Sequence, residues 1–176
     1  PMTLYLNEPN RIMSAGVKRN MLTSKTTFIG RNKIDVGQYK SPIESVDLPN
    51  AFMIRRKILD EIGGFNEVDF PIDYDEADLG ERVRRRGYKI IVLPTAKVYH
   101  EGPSVISTAF SDNFRVYYAI RNRIKFHHKY AKRPYFFAFL IMFLPFFLLY
   151  NSIVGKLYPT LRGLVDGLSG RATFIE

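Results

Sequence analysis

The sequence predicts a mixed α/β domain followed by a basic helix and an apolar, membrane-associating helix. Short strand-like runs and turns fill the first hundred residues, and a helical pattern at residues 76–86 lies among them. Residues 121–133 carry six Lys or Arg and two of the three His, whereas residues 134–155 carry no charged side chain. With 176 residues and 46% hydrophobic content, the chain can form one core domain and an appendage.

The composition excludes several classes of site. The chain has no cysteine, which excludes disulfides, cysteine-ligated zinc and thiol nucleophiles. Its net charge is +9, yet residues 60–81 contain nine carboxylates and no Lys or Arg, and four arginines follow at residues 82–86. Because clustered acids repel one another, this acidic block needs counter-charges or a function.

The first 45 residues are rich in turns, and only short apolar runs within them have strand character. Such irregular sequence is typical of a functional loop or of a domain separated from its partner elements. Pro94 separates the last two predicted strands, because proline cannot donate to a sheet ladder. Strands are predicted at residues 3–6, 27–29, 46–48, 51–54, 89–93 and 96–99.

Capping and charge signals predict three helices before the apolar segment. A short one at residues 56–62 ends at Gly63. The second covers residues 76–86, where acids crowd the first turns and arginines the last, as the helix dipole favours. The third begins at Ser111 as N-cap and runs to about residue 130. Two i,i+4 ion pairs are predicted in the second helix, Asp78–Arg82 and Glu81–Arg85.

The uncharged segment at residues 134–155 is long enough for a membrane helix, which needs about 20 apolar residues. The predicted basic amphipathic helix at residues 111–133 precedes it, and this flank favours the cytoplasmic face of the cell membrane. Residues 156–176 have the composition of an interfacial tail. A buried core helix is the alternative, and the pattern leaves open whether the segment crosses the bilayer or dips into it.

Three short acidic motifs lie around residue 75. Residues 75–78 spell the DEAD tetrapeptide of helicases, but the chain has no GxxxxGK[ST] phosphate loop to support that interpretation. An EF-hand loop beginning at Asp73 would place Asp78 where the turn glycine must be. Asp73 and Asp75 match the two-carboxylate pattern that can share Mg²⁺ or Mn²⁺, which remains an alternative.

The acid pair Asp75 and Glu76 is the candidate general base. Both acids are predicted at the start of a helix, whose N-terminus favours an ionised carboxylate. The aromatic loop before them would partly desolvate the pair and raise its basicity. A carboxylate placed this way can take a proton from an alcohol. The alternative is an ordinary N-cap at Asp75 and a first-turn acid at Glu76.

Two further positions are candidate ligand contacts. His100 follows a predicted strand and precedes a glycine-containing loop, a position from which a ligand is easily reached. Arg121 and Asn122 lie on the basic helix, where they are candidates to contact phosphate or a lipid headgroup. The alternatives are a structural histidine and a solvated basic face.

Short motifs follow one another in a recognisable order along nearly the whole chain. They are Ala51-Phe52-Met53-Ile54-Arg55-Arg56, Gly63-Gly64-Phe65-Asn66-Glu67, Asp75-Glu76-Ala77-Asp78-Leu79 with Arg82, Gly87-Tyr88-Lys89-Ile90, Pro94-Thr95-Ala96, Val98-Tyr99-His100 and Arg121-Asn122-Arg123. This order resembles the C-terminal half of family-2 glycosyltransferases, especially the rhamnosyltransferase-like members. No single motif is specific, whereas the series is.

The resemblance implies a fold, a reaction and a set of roles. The fold is the C-terminal portion of a Rossmann-like GT-A domain, with residues 1–110 as its acceptor and base half. The acid pair would deprotonate the acceptor hydroxyl, and His100 would lie near the metal and diphosphate. Substrate-binding roles are implied for Asp78, Arg82, Gly64, Phe65, Asn66, Arg121 and Asn122.

The chain departs from the family pattern in three ways. Family members usually show Glu-Asp with the second acid as base, so here Glu76 would be the base and the choice between it and Asp75 stays open. Asn66 stands where the family often has Asp. The nucleotide-binding β-α-β units, and the Asp-x-Asp that holds a divalent Mg or Mn cation, have no counterpart, so we expect a longer enzyme or a partner chain to supply them.

The sequence therefore predicts an inverting glycosyltransferase at the membrane, or its C-terminal portion. It would transfer sugar from a nucleotide-sugar donor to a lipid-linked or polysaccharide acceptor. The alternative is a non-catalytic membrane-bound module that partners a complete transferase. Nucleic-acid binding is the weakest interpretation of the basic charge, because the basic cluster adjoins the apolar segment.

Overall fold

The computed structural model describes residues 1–48, 51–101 and 110–171 as a mixed α/β protein. Its strands are β1 (Met2–Tyr5), β2 (Ile12–Ser14), β3 (Val17–Asn20), β4 (Lys25–Phe28), β5 (Ile43–Ser45), β6 (Ile90–Val92) and β7 (Lys97–His100). Its helices, within those ranges, are α1 (Arg56–Ile62), α2 (Asp75–Arg85), α3 (Asp112–Tyr130), α4 (Arg133–Ile153) and α5 (Leu157–Ser169). The chain forms two compact units. The first contains the described parts of residues 1–19, 26–65 and 76–105, and the second those of residues 20–25, 66–75 and 106–176.

The sheets of the first unit are small. One has the order β2-β1-β7, in which β1 pairs antiparallel with β2 and parallel with β7; the others are β3-β4 and β5-β6. Residues from the first sheet and from β6 form one apolar cluster, because alternate strand residues point to the same face. The buried members of this cluster are Met2, Leu4, Ile12, Ala15 and Val92.

The two helices that the structure describes in the first unit pack around a second apolar cluster. Leu79 and Val83 of α2 share one helix face and are buried with Leu48 and Ile90. Gly80 lies on this face too, and a Cβ built on it would stand 3.3 Å from the Cα of Asp47, so only a very small residue fits there. The observed bounds of α1 match the predicted residues 56–62, and α2 begins one residue earlier than predicted and ends one residue earlier.

The second unit contains the three helices that follow residue 110. The side chain of Ser111 accepts a hydrogen bond from the Phe114 amide, which confirms the predicted N-cap of α3. Five residues with helical spacing along α3 are all buried. They are Phe114, Tyr117, Tyr118, Arg121 and Ile124. Helix α4 is the one helix within the described residues that is long and apolar enough to cross a membrane, and 17% of its most apolar stretch is buried.

Helix α5 forms within the segment predicted to be an interfacial tail. It packs on α3 mainly through small and polar residues, beside the apolar Leu164. A Cβ built on Gly163 would stand 2.7 Å from the Tyr117 carbonyl oxygen, and one on Gly167 would stand 2.8 Å from that of Arg121. Such spacing lets two helix backbones approach closely. Buried Asp166 accepts a hydrogen bond from the Tyr117 hydroxyl at 2.8 Å.

Two predicted strands, at residues 46–48 and 51–54, are wrong. The strand lies earlier, at β5, because Ile43–Ser45 pairs antiparallel with β6. Residues 46–48 turn instead: the Ser45 hydroxyl donates to the Asp47 carbonyl oxygen at 2.7 Å. The Asp47 carboxylate then pairs with Arg19 at 2.5 Å. Apolar runs of three or four residues predict burial here, but hydrogen bonds between side chains and the main chain determine the backbone conformation.

Candidate active site

The loop at residues 66–74 leads directly into α2 and is built on side-chain hydrogen bonds. The Asn66 side chain donates to the Asp69 carboxylate at 2.9 Å and accepts from the Asp69 amide at 3.1 Å. Lys125 and Lys129 of α3 pair with the same carboxylate at 2.5 and 3.3 Å. Partial burial acts to raise the pKa of Asp69, but the bonds from Lys125 and Asn66 outweigh it and lower the pKa to about 2.

The end of this loop holds two non-glycine residues in the left-handed region. Asp73 has φ of 55° and Tyr74 has φ of 66°. An aspartate tolerates this conformation better than a tyrosine, and two such residues in succession cost free energy that the surroundings must offset. The next residue, Asp75, begins α2. The acid pair therefore follows a backbone segment that is held out of its preferred conformation.

Helix α3 holds the loop through Arg121 and Asn122, which are fully buried. The Asn122 amide nitrogen donates to the carbonyl oxygens of Ile72 at 2.5 Å and Asp73 at 3.1 Å. Arg121 Nη1 donates to the Asp69 carbonyl oxygen at 2.8 Å and to Asn122 Oδ1 at 2.5 Å. Arg121 and Asn122 thus bind the main chain of the loop at several points, and these bonds together hold its conformation.

The Arg121 guanidinium is itself unusual. Its remaining contacts are a hydrogen bond from Nε to the Arg171 carbonyl oxygen at 3.0 Å and the Tyr118 ring, 5.8 Å from Cζ. Among the described residues no hydrogen-bond partner contacts Nη2, although that atom is buried. A buried charge is costly unless hydrogen bonds surround it, so Arg121 is held by main-chain oxygens and Asn122.

Aromatic rings pack the loop onto α3. Phe126 contacts Phe70 with ring centroids 6.3 Å apart and Tyr74 with centroids 5.3 Å apart. Phe70 is buried, so it anchors the loop by apolar contact as the hydrogen bonds fix its main chain. Lys129 lies 5.5 Å from the centre of the Phe70 ring. These contacts come from the same face of α3 as Asn122 and Lys125.

Asp73 is the acid in this loop whose ionisation the fold disfavours. The residue is exposed, but neighbouring protein atoms desolvate its carboxyl group, and this burial raises its pKa. The negative charge of Asp75 raises it further, and Arg115 acts in the opposite direction. In the sequence, Asp73 stands out only as half of a possible cation pair. Its perturbed pKa depends on three-dimensional surroundings that spacing does not reveal.

Replacing Asp73 by asparagine should stabilise the protein at neutral pH. A raised pKa means that the folded state holds the proton more tightly, so stability falls as pH rises from the ordinary value of 3.8 through the folded pKa. The asparagine side chain cannot ionise and tolerates positive φ, so we expect a gain of about 1–3 °C in melting temperature at pH 7. The gain should vanish below pH 3.8.

Thermal melts across this pH range measure the effect. Glu67→Gln, an exposed acid of the same loop, is the matched control and should change little. A loss of stability in Asp73→Asn at pH 7, or a gain that persists in acid, would contradict the assignment.

The candidate bases occupy the first turn of α2. Asp75 is its first residue and Glu76 its second, and both are half-buried. The unpaired amides of a helix start, together with the helix dipole, favour negative charge at these positions. The predicted location of the acid pair at a helix start is confirmed. Its role as general base remains a prediction.

Asp78 and Arg82 form the predicted ion pair, with Arg82 Nε 2.8 Å from the fully buried Asp78 carboxylate. Arg82 also donates to the carbonyl oxygens of Ile62 at 2.8 Å, Gly63 at 3.3 Å and Gly64 at 2.7 Å. It thereby joins the end of α1 to α2. The fold gives this pair a structural role, and substrate binding by Asp78, Arg82 and Gly64 remains a prediction.

The other predicted site residues have varied surroundings. Phe65 is exposed, and its ring lies 6.2 Å from that of Phe52. His100 is the half-buried last residue of β7, where its carbonyl oxygen accepts from the Leu6 amide at 2.9 Å. The described residues contain no group of three or more His, Asp or Glu placed to hold a metal ion. A metal role for His100 therefore stays a prediction.

The sequence did not predict that α3 holds the loop: Arg121 and Asn122 were predicted as substrate contacts, and Lys125, Phe126 and Lys129 were not singled out. The signal available was the spacing of Asn122, Lys125, Phe126 and Lys129, which places them on one helix face opposite an acidic loop. That face mixes cations with an aromatic ring, which suits a partner that has both a carboxylate and rings.

Comparison with known proteins adds one limited similarity. A stretch of 50 residues, 28% of this chain, is 38% identical to the Sinorhizobium fredii (strain NBRC 101917 / NGR234) protein named "Uncharacterized protein y4gI". The matched stretch covers 6% of that protein's length. No protein-family model and no solved structure matches the chain. The similarity carries no activity to this chain, so function is argued from its residues.

Proposed function

We propose that this chain is the acceptor and base portion of a membrane-associated inverting glycosyltransferase. It would act at the cytoplasmic face of the cell membrane, with a nucleotide-sugar donor and a lipid-linked or polysaccharide acceptor. The observation that carries the proposal is the strained loop at residues 66–74, which α3 fixes and which ends at the acid pair Asp75-Glu76. A strained backbone that several surrounding contacts hold in place is typical of active sites. The ordered motif series supports the sugar-transfer chemistry.

The acid pair supplies the proton acceptor of the proposed reaction. Glu76, or Asp75 in its place, takes the proton from the acceptor hydroxyl as that oxygen attacks the anomeric carbon of the donor sugar. The new glycosidic bond forms on the face opposite the leaving group, and the bond to the nucleotide diphosphate breaks with its electron pair. The configuration at the anomeric carbon is thereby inverted. A carboxylate carried on the first turn of a helix helps, because it needs little reorganisation at the moment of attack.

A divalent cation is expected from the family resemblance, where it neutralises the diphosphate leaving group. Its expected Asp-x-Asp ligands have no counterpart before the acceptor half. The negative charge of Asp75 is near enough to raise the pKa of Asp73, so a cation shared by the two carboxylates would relieve that repulsion. We derive no step through the cation.

A transfer assay tests the proposed function. The complete reading frame that encodes this chain is incubated with Mn²⁺, membranes and a panel of nucleotide sugars labelled in the sugar. We expect label from one donor to enter a lipid-linked or polymeric product. If a folded, membrane-bound protein transfers label from no donor, the proposal falls and the alternative of a non-catalytic membrane module stands. Calorimetry of the chain itself with the same nucleotide sugars measures how much of the donor site it contains.

A further inference from the structure

The structure places both ends of α4 near the charged helix α3, and we propose that α4 and α5 lie flat in one leaflet of the membrane instead of crossing it. This inference rests on the membrane association in the proposed function. In this arrangement a lipid leaflet covers the exposed apolar surface of α4 and α5, and the loop at residues 66–74 faces water. All the contacts that carry it lie within the second unit.

Helices α3 and α4 run antiparallel, and side-chain contacts join them near the start of α4, farther along it and just beyond its end. The ring of His127 lies 4.9 Å from that of Phe139, near the start of α4. The Arg123 guanidinium lies 4.8 Å from the centre of the Phe147 ring, well along α4. Beyond the end of α4, Lys156 Nζ donates to the Asn113 side chain of α3 at 3.1 Å. Because α3 contacts α4 at these points, an α4 that crossed the bilayer would carry part of α3 into the hydrocarbon with it.

Helix α3 is unsuited to that depth. Its Arg115 side chain is 49% exposed, and Arg123 and Lys125 lie farther along it. If α4 crossed the bilayer, these cations would be carried into the hydrocarbon, where charged side chains are costly unless they face a water-filled cavity. If α4 lies flat, α3 lies on the side of α4 that faces away from the hydrocarbon. Every cation of α3 then remains near headgroups or water. The charge distribution thus favours the flat arrangement.

In helix α5 the buried residues are mostly small or polar and the exposed ones mostly apolar, which is the reverse of the usual pattern for a protein in water. The face against α3 holds Gly163, Asp166 and Gly167, all buried. The outward face is mostly apolar, with exposed Leu157, Tyr158, Leu161, Val165 and Leu168. Exposed Arg162 lies at its edge, where its Nε is 3.7 Å from the Asp166 carboxylate. At 13 residues α5 is about 20 Å long, too short for the roughly 30 Å hydrocarbon core. An apolar helix face of this length suits insertion into one leaflet.

Different faces of α3 contact the loop at residues 66–74 and the two apolar helices. Successive residues of a helix turn by about 100°. Asn122, Phe126 and Lys129 project to one side, where they contact the loop at residues 66–74. Ile120 and Ile124 project to the other side, where they pack with α4 and α5 residues. The loop and the two apolar helices therefore lie on roughly opposite sides of α3.

The exposed residues of α4 and α5 fit a lipid surface specifically. Ile141 is 74% exposed and Val165 is 59% exposed, with no charge on α4 after Arg133. Tyrosines are exposed at both ends of α4 and on α5, as expected for rings at the headgroup level. They are Tyr135, Tyr150 and Tyr158. Exposed Lys132 and Arg133 at the start of α4 match anionic headgroups.

Labelling of single cysteines tests the arrangement, because the chain has no cysteine of its own. Tyr135→Cys and Val154→Cys place one thiol at each end of α4, at exposed positions. Each variant is bound to preformed vesicles of phosphatidylcholine and phosphatidylglycerol in equal parts and is treated with a membrane-impermeant maleimide. We expect both thiols to react fully before the vesicles are permeabilised. A thiol that reacts only after permeabilisation shows that α4 crosses, and it overturns the proposal.

Depth measurements give the second arm, because the chain also has no tryptophan. Ile141→Trp, Phe146→Trp and Val165→Trp report from α4 and α5, and Ala119→Trp, at an exposed position of α3, is the control. Lipids brominated near the headgroup should quench the first three to a similar extent and leave the control unquenched. Reporters on α4 and α5 that face water, or that are covered by a second copy of the chain, overturn the proposal.

The two failures are distinguishable. If the protein does not bind vesicles and no reporter is quenched, the membrane association of the proposed function fails together with this inference. If one end of α4 is protected inside the vesicle, only the flat arrangement fails, and the membrane-bound transferase stands.

Discussion

Gly163→Ala and Gly167→Ala should each destabilise the helical unit of α3, α4 and α5 by about 2–4 kcal/mol. Their added methyl groups would meet the carbonyl oxygens of Tyr117 at 2.7 Å and Arg121 at 2.8 Å. Neither oxygen can move without a shift of the α3 backbone, so α5 would have to separate from α3. Because Arg121 also holds the loop at residues 66–74, the loss should extend to that loop. Chemical unfolding followed by far-UV circular dichroism measures the change.

Gly64→Ala is the matched control for these two variants. A Cβ at Gly64 meets no atom within 4 Å, and its φ lies outside the left-handed region. Its stability should stay within about 0.5 kcal/mol of the parent. If the Gly163 and Gly167 variants unfold at the same denaturant concentration as Gly64→Ala, the close approach of α5 to α3 is wrong.

Glu76→Gln should lower sugar transfer by about 10²–10⁴-fold, the contribution typical of a general base. Glutamine keeps the shape of the side chain but cannot take a proton at neutral pH. Donor binding should be unchanged, because in the proposed reaction the carboxylate acts on the acceptor hydroxyl. Initial rates and donor affinity, measured on the complete protein with the donor found by the transfer assay, separate the two effects.

Asp75→Asn made in parallel decides which acid is the base. A large loss in Asp75→Asn alone would move the role to Asp75, which is the first residue of α2. Full activity in both variants would refute a base at this position. Glu67→Gln controls for the removal of a negative charge from the exposed part of the preceding loop.

Local signals predicted the helices well. Gly63 ends α1, and Ser111 caps α3 through the Phe114 amide, because each signal acts within one turn of the residue that carries it. The strands predicted at residues 46–48 and 51–54 failed for the opposite reason. Strand β5 exists through its pairing with β6, which lies far along the sequence, and no local pattern encodes that pairing.

The candidate site was predictable in location and only partly in construction. Charge order places Asp75 and Glu76 at a helix start, and the structure agrees. The sequence carries no glycine that would mark the positive φ angles at Asp73 and Tyr74. Asn122, which is distant in sequence, holds this part of the backbone through the Asp73 carbonyl oxygen. Arg121 and Asn122 were predicted to bind substrate, whereas their observed contacts are to main-chain oxygens some 50 residues away. Single-sequence patterns do not report such distant contacts.

The position of α3 between the loop and the two apolar helices has a consequence for the proposed acceptor. A helix with its side chains is about 10–12 Å across. With α4 and α5 in one leaflet, the loop at residues 66–74 stands about one helix diameter above the lipid surface. A hydroxyl on the first sugars of a lipid-linked glycan lies within this reach, whereas the far end of a long polymer must fold back to it. The thickness of one helix would then select acceptors by length.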